Sequence, residues 1–233
     1  DLIDETRLEM VYQPIYHIRE QRIVGFEALA RFRTEPYQAP HLWFEEAERA
    51  GLGEALELLA VREALKGMPA LPDGCYLSLN VSPNALLSGE ILDLLLDCPA
   101  RSVVLEITEH ARIADYDAFL AALAPLREYG IRIAVDDAGA GYASFQHILE
   151  LRADIIKLDI SLIRNIHADT ARRALAAALI KFAEVTGTKV IAEGVEAETE
   201  LAELRRLGVE KVQGFYIGRP MPLSRTRAFQ IGF

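Results

Sequence analysis

Glu27, Asn80, Glu106, Asp136, Lys157, Glu193 and Gln213 each stand at the exit of a short apolar stretch: FEA, LSLN, VLE, IAVD, IIK, VIAE and VQG. Short apolar runs bounded by glycine, proline or charge read as buried strands, and most of these are separated by helical patterns. Strands alternating with helices predict a largely parallel sheet covered by helices. The first two strands break that rule. Val11 to Ile18 and Ile23 to Arg31 are separated only by Arg19, Glu20, Gln21 and Arg22. So short a link cannot carry a parallel crossover, so these two strands are expected to be antiparallel.

Helical stretches follow at His41 to Ala50 and Gly53 to Met68, joined near Gly51, with Pro69 and Pro72 bracketing the exit. Cys75 to Val81 reads as a strand, and Pro83 opens a helical or turn region towards Leu96. Val103 to Thr108 is a strand, Tyr116 to Tyr129 a helix stopped by Gly130, and Arg132 to Asp136 a strand. Ser144 to Leu149 allows a turn or two of helix before a strand at Asp154 to Leu158. The Ala- and Leu-rich helix Thr170 to Thr186 ends at Gly187. A strand at Lys189 to Glu193, a helix at Glu196 to Leu207 and a last strand at Val209 to Gln213 complete the pattern. Eight strands, seven compatible with one parallel set, predict an α/β fold: a closed, TIM-like (β/α)8 barrel with its first strand reversed. A doubly wound open sheet is the competing architecture, because periodicity does not report closure. The chain carries neither an opening Gly-x-Gly-x-x-Gly nor a Walker-type Gly-Lys-Ser/Thr, the two commonest nucleotide signatures.

With 233 residues, 51% of them hydrophobic, the chain can bury one full-sized core, and no repeat or linker divides residues 1–233. A formal net charge of -10 argues against a grip on duplex nucleic acid, which needs cations to replace counterions. Two cysteines, Cys75 and Cys98, build no disulfide scaffold, so a reducing, cytoplasmic setting is expected. No apolar run reaches the length of a membrane span, so membrane contact by this domain is not expected. The start in a short charged helical segment, Leu2 to Met10, suggests a domain cut from a longer multidomain protein.

In a barrel, inward side chains alternate with outward ones, so Ser78 and Asn80 share a face, as do Ile155 and Lys157, and Ile191 and Glu193. Buried charges are costly unless paired or bound to metal. One polar strand exit is explained by solvation or core hydrogen bonding, but seven on one rim point to the catalytic end of this architecture. The donors are oxygens from Asp, Glu and one Asn amide. No histidine stands among them, so Mg²⁺ or Mn²⁺ fits better than tetrahedral zinc. Enough carboxylates are present for two cations sharing Asp136, an arrangement suited to attack of water on a phosphodiester. Lys157 and Arg31 could offset phosphate charge. Asp136 and Asp137 are adjacent, and a regular strand would send them to opposite faces. Both reach one cavity if the strand ends at Asp136 and the chain turns at Asp137, ahead of Gly139 and Gly141.

With these residues in view, the chain resembles the EAL domain family of bacterial cyclic di-GMP phosphodiesterases along essentially its whole length. The matching motifs are YQPIY from Tyr12, Glu27-Ala28-Leu29 with Arg31, LNVSP from Leu79, EITE from Glu106 and DDAGAGYAS from Asp136. Lys157-Leu158-Asp159, Glu193-Gly194-Val195-Glu196, Gln213-Gly214-Phe215 and Arg219-Pro220 continue the series. The resemblance implies hydrolysis of cyclic di-GMP to linear pGpG by a water activated between two metal ions. It implies that Glu27, Asn80, Glu106 and Asp136 hold one Mg²⁺ or Mn²⁺, and Asp136 and Asp137 the second. Ca²⁺ would bind without supporting turnover. Lys157 would orient the attacking water or help deprotonate it, Glu193 would hold the site and its water, and Gln213 would support it. Gln13, Leu29, Arg31 and Gln213 would contact the substrate, with Gln13 near the base and Arg31 near the phosphate. Glu109 would brace the loop after the paired aspartates, carrying Gly139 and Gly141, and Asp159 would support the same rim.

Family members most often carry Asp-Phe-Gly-Thr-Gly-Tyr-Ser-Ser where this chain has Asp137-Ala138-Gly139-Ala140-Gly141-Tyr142-Ala143-Ser144. Ala138 removes an aromatic anchor and Ala140 a hydroxyl. This departure motivates a second reading: a catalytically weak or inactive domain serving as a cyclic di-GMP receptor or regulatory module. The resemblance also implies a homodimer through the loop after Asp137 and the following helices, and a linked sensor or GGDEF domain. In the helix Thr170 to Thr186, Leu175, Leu179 and Phe182 form one apolar face that Ala176, Ala177 and Ile180 widen. Packing on the barrel and a dimer contact are both compatible with that face.

Overall fold

The computed structural model describes residues 7–35, 38–96, 98, 102–108, 113–139 and 143–229. Strands β1 (Leu8–His17) and β2 (Arg22–Phe32) form an antiparallel hairpin, from Leu8 opposite Phe32 to His17 opposite Arg22. Gln21 turns the chain with a left-handed φ of 53°, and its N–H donates to the His17 carbonyl at 2.9 Å. Helices α1 (Pro40–Arg49) and α2 (Gly53–Gly67) lead to β3 (Tyr76–Asn80). Then come α3 (Pro83–Leu87), α4 (Glu90–Leu96), β4 (Val103–Thr108), α5 (Tyr116–Tyr129) and β5 (Arg132–Ala138). The second half holds α6 (Ala143–Leu151), β6 (Ile155–Leu158), α7 (Ile160–Ile163), α8 (Thr170–Thr186), β7 (Lys189–Ala192) and α9 (Glu198–Arg206). Two short strands, β8 (Lys211–Val212) and β9 (Met221–Pro222), complete it.

Strands β2 to β8 pair in parallel in chain order, and β1 closes the ring. One edge of β1 pairs with β2, while Tyr16 and His17 on the other edge pair antiparallel with Val212 and Lys211 of β8. The sheet is therefore a closed barrel with its first strand reversed, and the open-sheet alternative falls. The rest of that edge, Val11 and Tyr12, takes up β9. Neither β9 nor α7 was expected, because segments this short carry no periodic signal.

Side-chain caps set the helix limits. Asp115 accepts the Ala118 N–H at 3.0 Å to start α5, which ends at Gly130 with φ 95°. Asp169 accepts the N–H groups of Ala171 and Arg172 at 2.9 and 3.1 Å to start α8, which ends at Gly187 with φ 76°. Both helices span the expected residues, but the buried stripe of α8 is Ala176, Leu179 and Ala183. Leu175 is 43% exposed and Phe182 half-buried, because the small alanines let this flank sit closest to the barrel. Helix α9 begins at Glu198, two residues later than expected. The carboxylate of Glu200 binds the N–H groups of Glu196 and Ala197 at 2.8 and 3.2 Å and holds both in the entry loop.

Inside the barrel, Ile15, Val24, Tyr76, Val104, Ala134, Ile155 and Ile191 form an apolar layer. Val104, Ala134, Ile155 and Ile191 lie two residues before Glu106, Asp136, Lys157 and Glu193, and so share their inward face. The polar strand exits therefore rest on a dry floor. Among the described residues no helix is long and apolar enough to cross a membrane.

Candidate active site

At the C-terminal ends of the parallel strands, the Lys157 side chain is buried among acidic groups. Its Nζ lies 2.6 Å from Glu106 Oε2, 2.7 Å from Glu193 Oε1, 3.1 Å from Asp136 Oδ1 and 3.6 Å from Glu27 Oε2. Four carboxylates from four strand exits thus enclose one ammonium whose side chain is 1% exposed. Burial works against the lysine charge, yet Asp136, Glu106, Glu193 and Glu27 together hold its pKa well above the ordinary value. Burial and then the Glu27 charge push the Glu106 carboxyl well above the usual carboxylate range, although Lys157 opposes them. Burial raises Glu193 as well, against the pull of Lys157 and with Asp136 adding repulsion. At Glu27 burial is outweighed by Lys157 and by the Asn80 and Gln213 donors, so its pKa is lowered. Negative charge therefore exceeds what one lysine can balance.

Uncharged donors fix the acids in place. Ser78 Oγ donates to Glu106 Oε1 at 2.5 Å, Asn80 Nδ2 to Glu27 Oε1 at 2.8 Å, and Gln213 Nε2 to Glu27 Oε2 at 2.6 Å. Gln213 Nε2 also reaches Gln13 Oε1 at 3.2 Å, and Gln13 Nε2 donates to the Gly218 carbonyl at 3.2 Å. Because β1 runs backwards, Gln13 sits opposite Glu27 and faces the same end of the barrel. Ser78 shares the Asn80 face, but its grip on Glu106 was not read from the sequence, since a serine inside an apolar run carries no distinct signal.

The adjacent aspartates reach one cavity by a route different from the expected one. Strand β5 does not end at Asp136 but continues to Ala138, with a register shift against β6 between Val135 and Ala138. Asp137 sits in that bulge at a left-handed φ of 56°, and its N–H donates to Asp136 Oδ1 at 3.0 Å. The bulge cancels the alternation of the pleat. Asp136, Asp137 and Glu193 consequently present carboxylate oxygens within 4.8 Å of one another. These oxygens suit a hard divalent cation. The buried Gln213 Oε1, which has no hydrogen-bond partner among the described residues, adds a further oxygen to the same rim.

Other expected residues lie around this centre. Leu29 and Arg31 line a cavity of about 200 Å³ that reaches Asn80, and Arg31 Nη1 donates to the Ala30 carbonyl at 2.8 Å. Asp159 caps α7 by accepting the Ser161 N–H at 2.8 Å, and its own N–H donates to the Ala138 carbonyl at 3.1 Å. Ala138, in place of the aromatic anchor, is fully buried. Gly139 takes a φ of 109°, while Glu109, Ala140 and Gly141 lie outside the described residues. Glu200 went unnoticed in the sequence. It is 2% exposed and binds the Asn165 N–H at 2.9 Å as well as the loop that follows Glu193.

Comparison with known proteins finds relatives along nearly the whole chain. Cyclic di-GMP phosphodiesterase NbdA of Pseudomonas aeruginosa is 32% identical over 237 residues, covering 97% of this chain and 30% of the relative. The chain spans about a third of the length of the curated relatives it matches. Among solved structures, the MucR phosphodiesterase of the same organism in complex with c-di-GMP superposes with a TM-score of 0.84 at 29% identity, covering 94% of each chain. Klebsiella pneumoniae BlrP1 with manganese and cyclic di-GMP gives a TM-score of 0.81 at 32% identity, covering 92% of this chain and 56% of that one. A calcium complex of BlrP1 matches in the same way, with a TM-score of 0.82. The family model described as EAL domain matches residues 1–220, which takes in every strand exit gathered at this rim, and this chain belongs to the EAL domain family.

Proposed function

We propose that this chain is a metal-dependent phosphodiesterase that hydrolyses cyclic di-GMP to linear pGpG. The observation that carries the reading is the clasp of Glu27, Glu106, Asp136 and Glu193 around Lys157, with Asp137 turned onto the same rim by the β5 bulge. Five carboxylates against one ammonium leave a formal surplus of four negative charges, which two divalent cations would offset. In this reading Glu27, Asn80, Glu106 and Asp136 hold one Mg²⁺ or Mn²⁺, and Asp136 and Asp137 the other. When bound, such ions lower the pKa of water and neutralise charge on the reacting phosphate. Lys157 orients the attacking water or a phosphoryl oxygen, and Glu193 holds that water from the opposite side. Gln213 keeps Glu27 in position, while Gln13, Leu29 and Arg31 receive the dinucleotide beside the metals.

The test is incubation with cyclic di-GMP and Mg²⁺ or Mn²⁺ followed by chromatography, alongside calorimetric binding in Ca²⁺. Appearance of pGpG with Mn²⁺, and binding without cleavage in Ca²⁺, is the expected result. Binding without cleavage under every ion would make the chain a cyclic di-GMP receptor instead.

A further inference from the structure

The inward face of β3 changes character within five residues: Tyr76 belongs to the apolar floor, Ser78 stands one step above it and Asn80 reaches the rim. In the register of β3 against β4, Asn80 lies opposite Glu106, whereas Ser78 lies opposite Val104, itself a floor residue. The Ser78 hydroxyl therefore meets the Glu106 carboxylate from the floor side, donating to Oε1 at 2.5 Å. Lys157 Nζ lies 2.6 Å from the other oxygen, Oε2. Ser78 and Glu106 are both fully buried, so this hydroxyl bond is shielded from solvent. The two oxygens of Glu106 are thus unlike: one is tied to a neutral donor at the floor, and the other faces the charged centre. The uncharged donors to Glu27 and Asp136 are rim groups instead, Asn80 and Gln213 on the one and the Asp137 N–H on the other.

We propose that Ser78 is a positioning residue for metal choice: by committing Oε1 it restricts Glu106 to ligation through one oxygen, which favours Mg²⁺ or Mn²⁺ over Ca²⁺. Mg²⁺ demands near-octahedral geometry with short bonds, whereas Ca²⁺ takes about six to eight oxygens and accepts both oxygens of one carboxylate. An acid with an unengaged second oxygen can open to Ca²⁺ as a two-oxygen ligand. Glu106 can do so only by giving up the Ser78 bond, which would leave a buried hydroxyl without its acceptor. The proposal rests on the metal set of the reading above, in which Glu106 is a ligand, but not on cleavage.

The test is calorimetric titration of the intact chain with Mn²⁺ and, separately, with Ca²⁺, in the wild type, Ser78→Ala and Ser78→Thr. Ser78→Ala should shift the ratio of Mn²⁺ to Ca²⁺ affinity towards Ca²⁺ by roughly tenfold, the lower end of what loss of a ligand-orienting group does to metal affinity. Ser78→Thr keeps the hydroxyl and should stay near the wild-type ratio. In EDTA, Ser78→Ala should also unfold at a lower urea concentration, because Oε1 is left buried without its donor. A serine with a structural role alone would give that loss with the ratio unchanged, and this result would overturn the proposal. A wild type that binds neither ion would overturn it together with the metal-dependent reading. A shifted ratio in a chain that never yields pGpG would uphold it while the phosphodiesterase reading fails. If Ser78→Ala does not fold, crystals of the wild type with Mn²⁺ decide the matter. Glu106 should meet the ion through Oε2 alone, with Ser78 Oγ still on Oε1, and both Glu106 oxygens on one ion would overturn the proposal.

Discussion

Lys157 Nζ lies 2.6 Å from Glu106 Oε2, with both side chains 1% exposed. Attraction at this depth offsets desolvation only while both partners are present, and Ser78 fixes the remaining oxygen of Glu106. The lysine is therefore both a structural counter-ion and the positive group nearest the expected chemistry. These two roles predict separable effects.

Lys157→Ala should lower the stability of the metal-free chain by about 3–5 kcal/mol, the cost of breaking a buried ion pair from one side. Urea denaturation in EDTA measures this. Single-turnover cleavage of cyclic di-GMP with saturating Mg²⁺ should fall roughly a hundredfold or more, while binding in Ca²⁺ is largely retained. Cleavage at the wild-type rate would refute the role given to Lys157.

Asp137 tests the bulge and its carboxylate separately. Asn tolerates the left-handed conformation, so Asp137→Asn should unfold at the wild-type urea midpoint or above it, since it removes one of several crowded negative charges. Asp137→Ala should lose about 1 kcal/mol relative to Asp137→Asn through backbone strain alone. Mn²⁺ should raise the melting temperature of the wild type, and both variants should weaken that rise. Wild-type Mn²⁺ affinity in Asp137→Asn would remove this residue from the metal set.

Glu200 accepts three backbone N–H groups, from Asn165, Glu196 and Ala197, and so ties the segment after α7 to the loop that follows Glu193. Glu200→Ala orphans all three donors and should cost about 2–3 kcal/mol in urea denaturation. Glu200→Gln, which keeps one acceptor oxygen, should recover part of the loss. A Glu200→Ala midpoint equal to wild type would show that the loop is held by other contacts.

Gly214 and Gly187 both have positive φ but should respond very differently to alanine. A Cβ at Gly214 would meet the backbone N and O of Val195 at 2.2 Å, whereas one at Gly187 meets nothing within 4 Å. Gly187→Ala should cost about 1 kcal/mol, the strain of the left-handed conformation. Gly214→Ala should cost several times more and reduce turnover, because it displaces the neighbouring Gln213 from Glu27. Equal urea midpoints for the two variants would contradict this.

Leu175, 43% exposed on α8, belongs to the face where family resemblance places a self-contact. A homodimer through this helix and the loop after Asp137 should appear in sedimentation velocity as a concentration-dependent species. Leu175→Glu should shift it to monomer without changing the melting temperature of the monomer. A single monomeric species at all concentrations, with and without cyclic di-GMP and metal, would rule this interface out.

Much of this molecule follows from local rules that a sequence displays directly. Asp115 and Gly130 delimit one helix, Asp169 and Gly187 another, and the short link after Ile18 forces β1 to run against β2. The polar strand exits were legible for the same reason: a charged residue after a buried run needs a partner, and Glu27, Glu106, Asp136, Lys157 and Glu193 supply one another. Closure was expected from the count and order of strands, but the contact that makes it was not legible, because it depends on Tyr16 and His17 meeting Val212 and Lys211, residues almost two hundred positions away. Nor was the way Asp136 and Asp137 share a cavity, since a bulge is a mismatch between two strands and exists only once β5 is laid against β6. The buried face of α8, the grip of Ser78 on Glu106 and the three bonds of Glu200 likewise arise from packing between distant elements. Periodicity and capping act over a few residues and are written in the chain, whereas register, closure and the pairing of buried charges depend on which distant surfaces exclude water together.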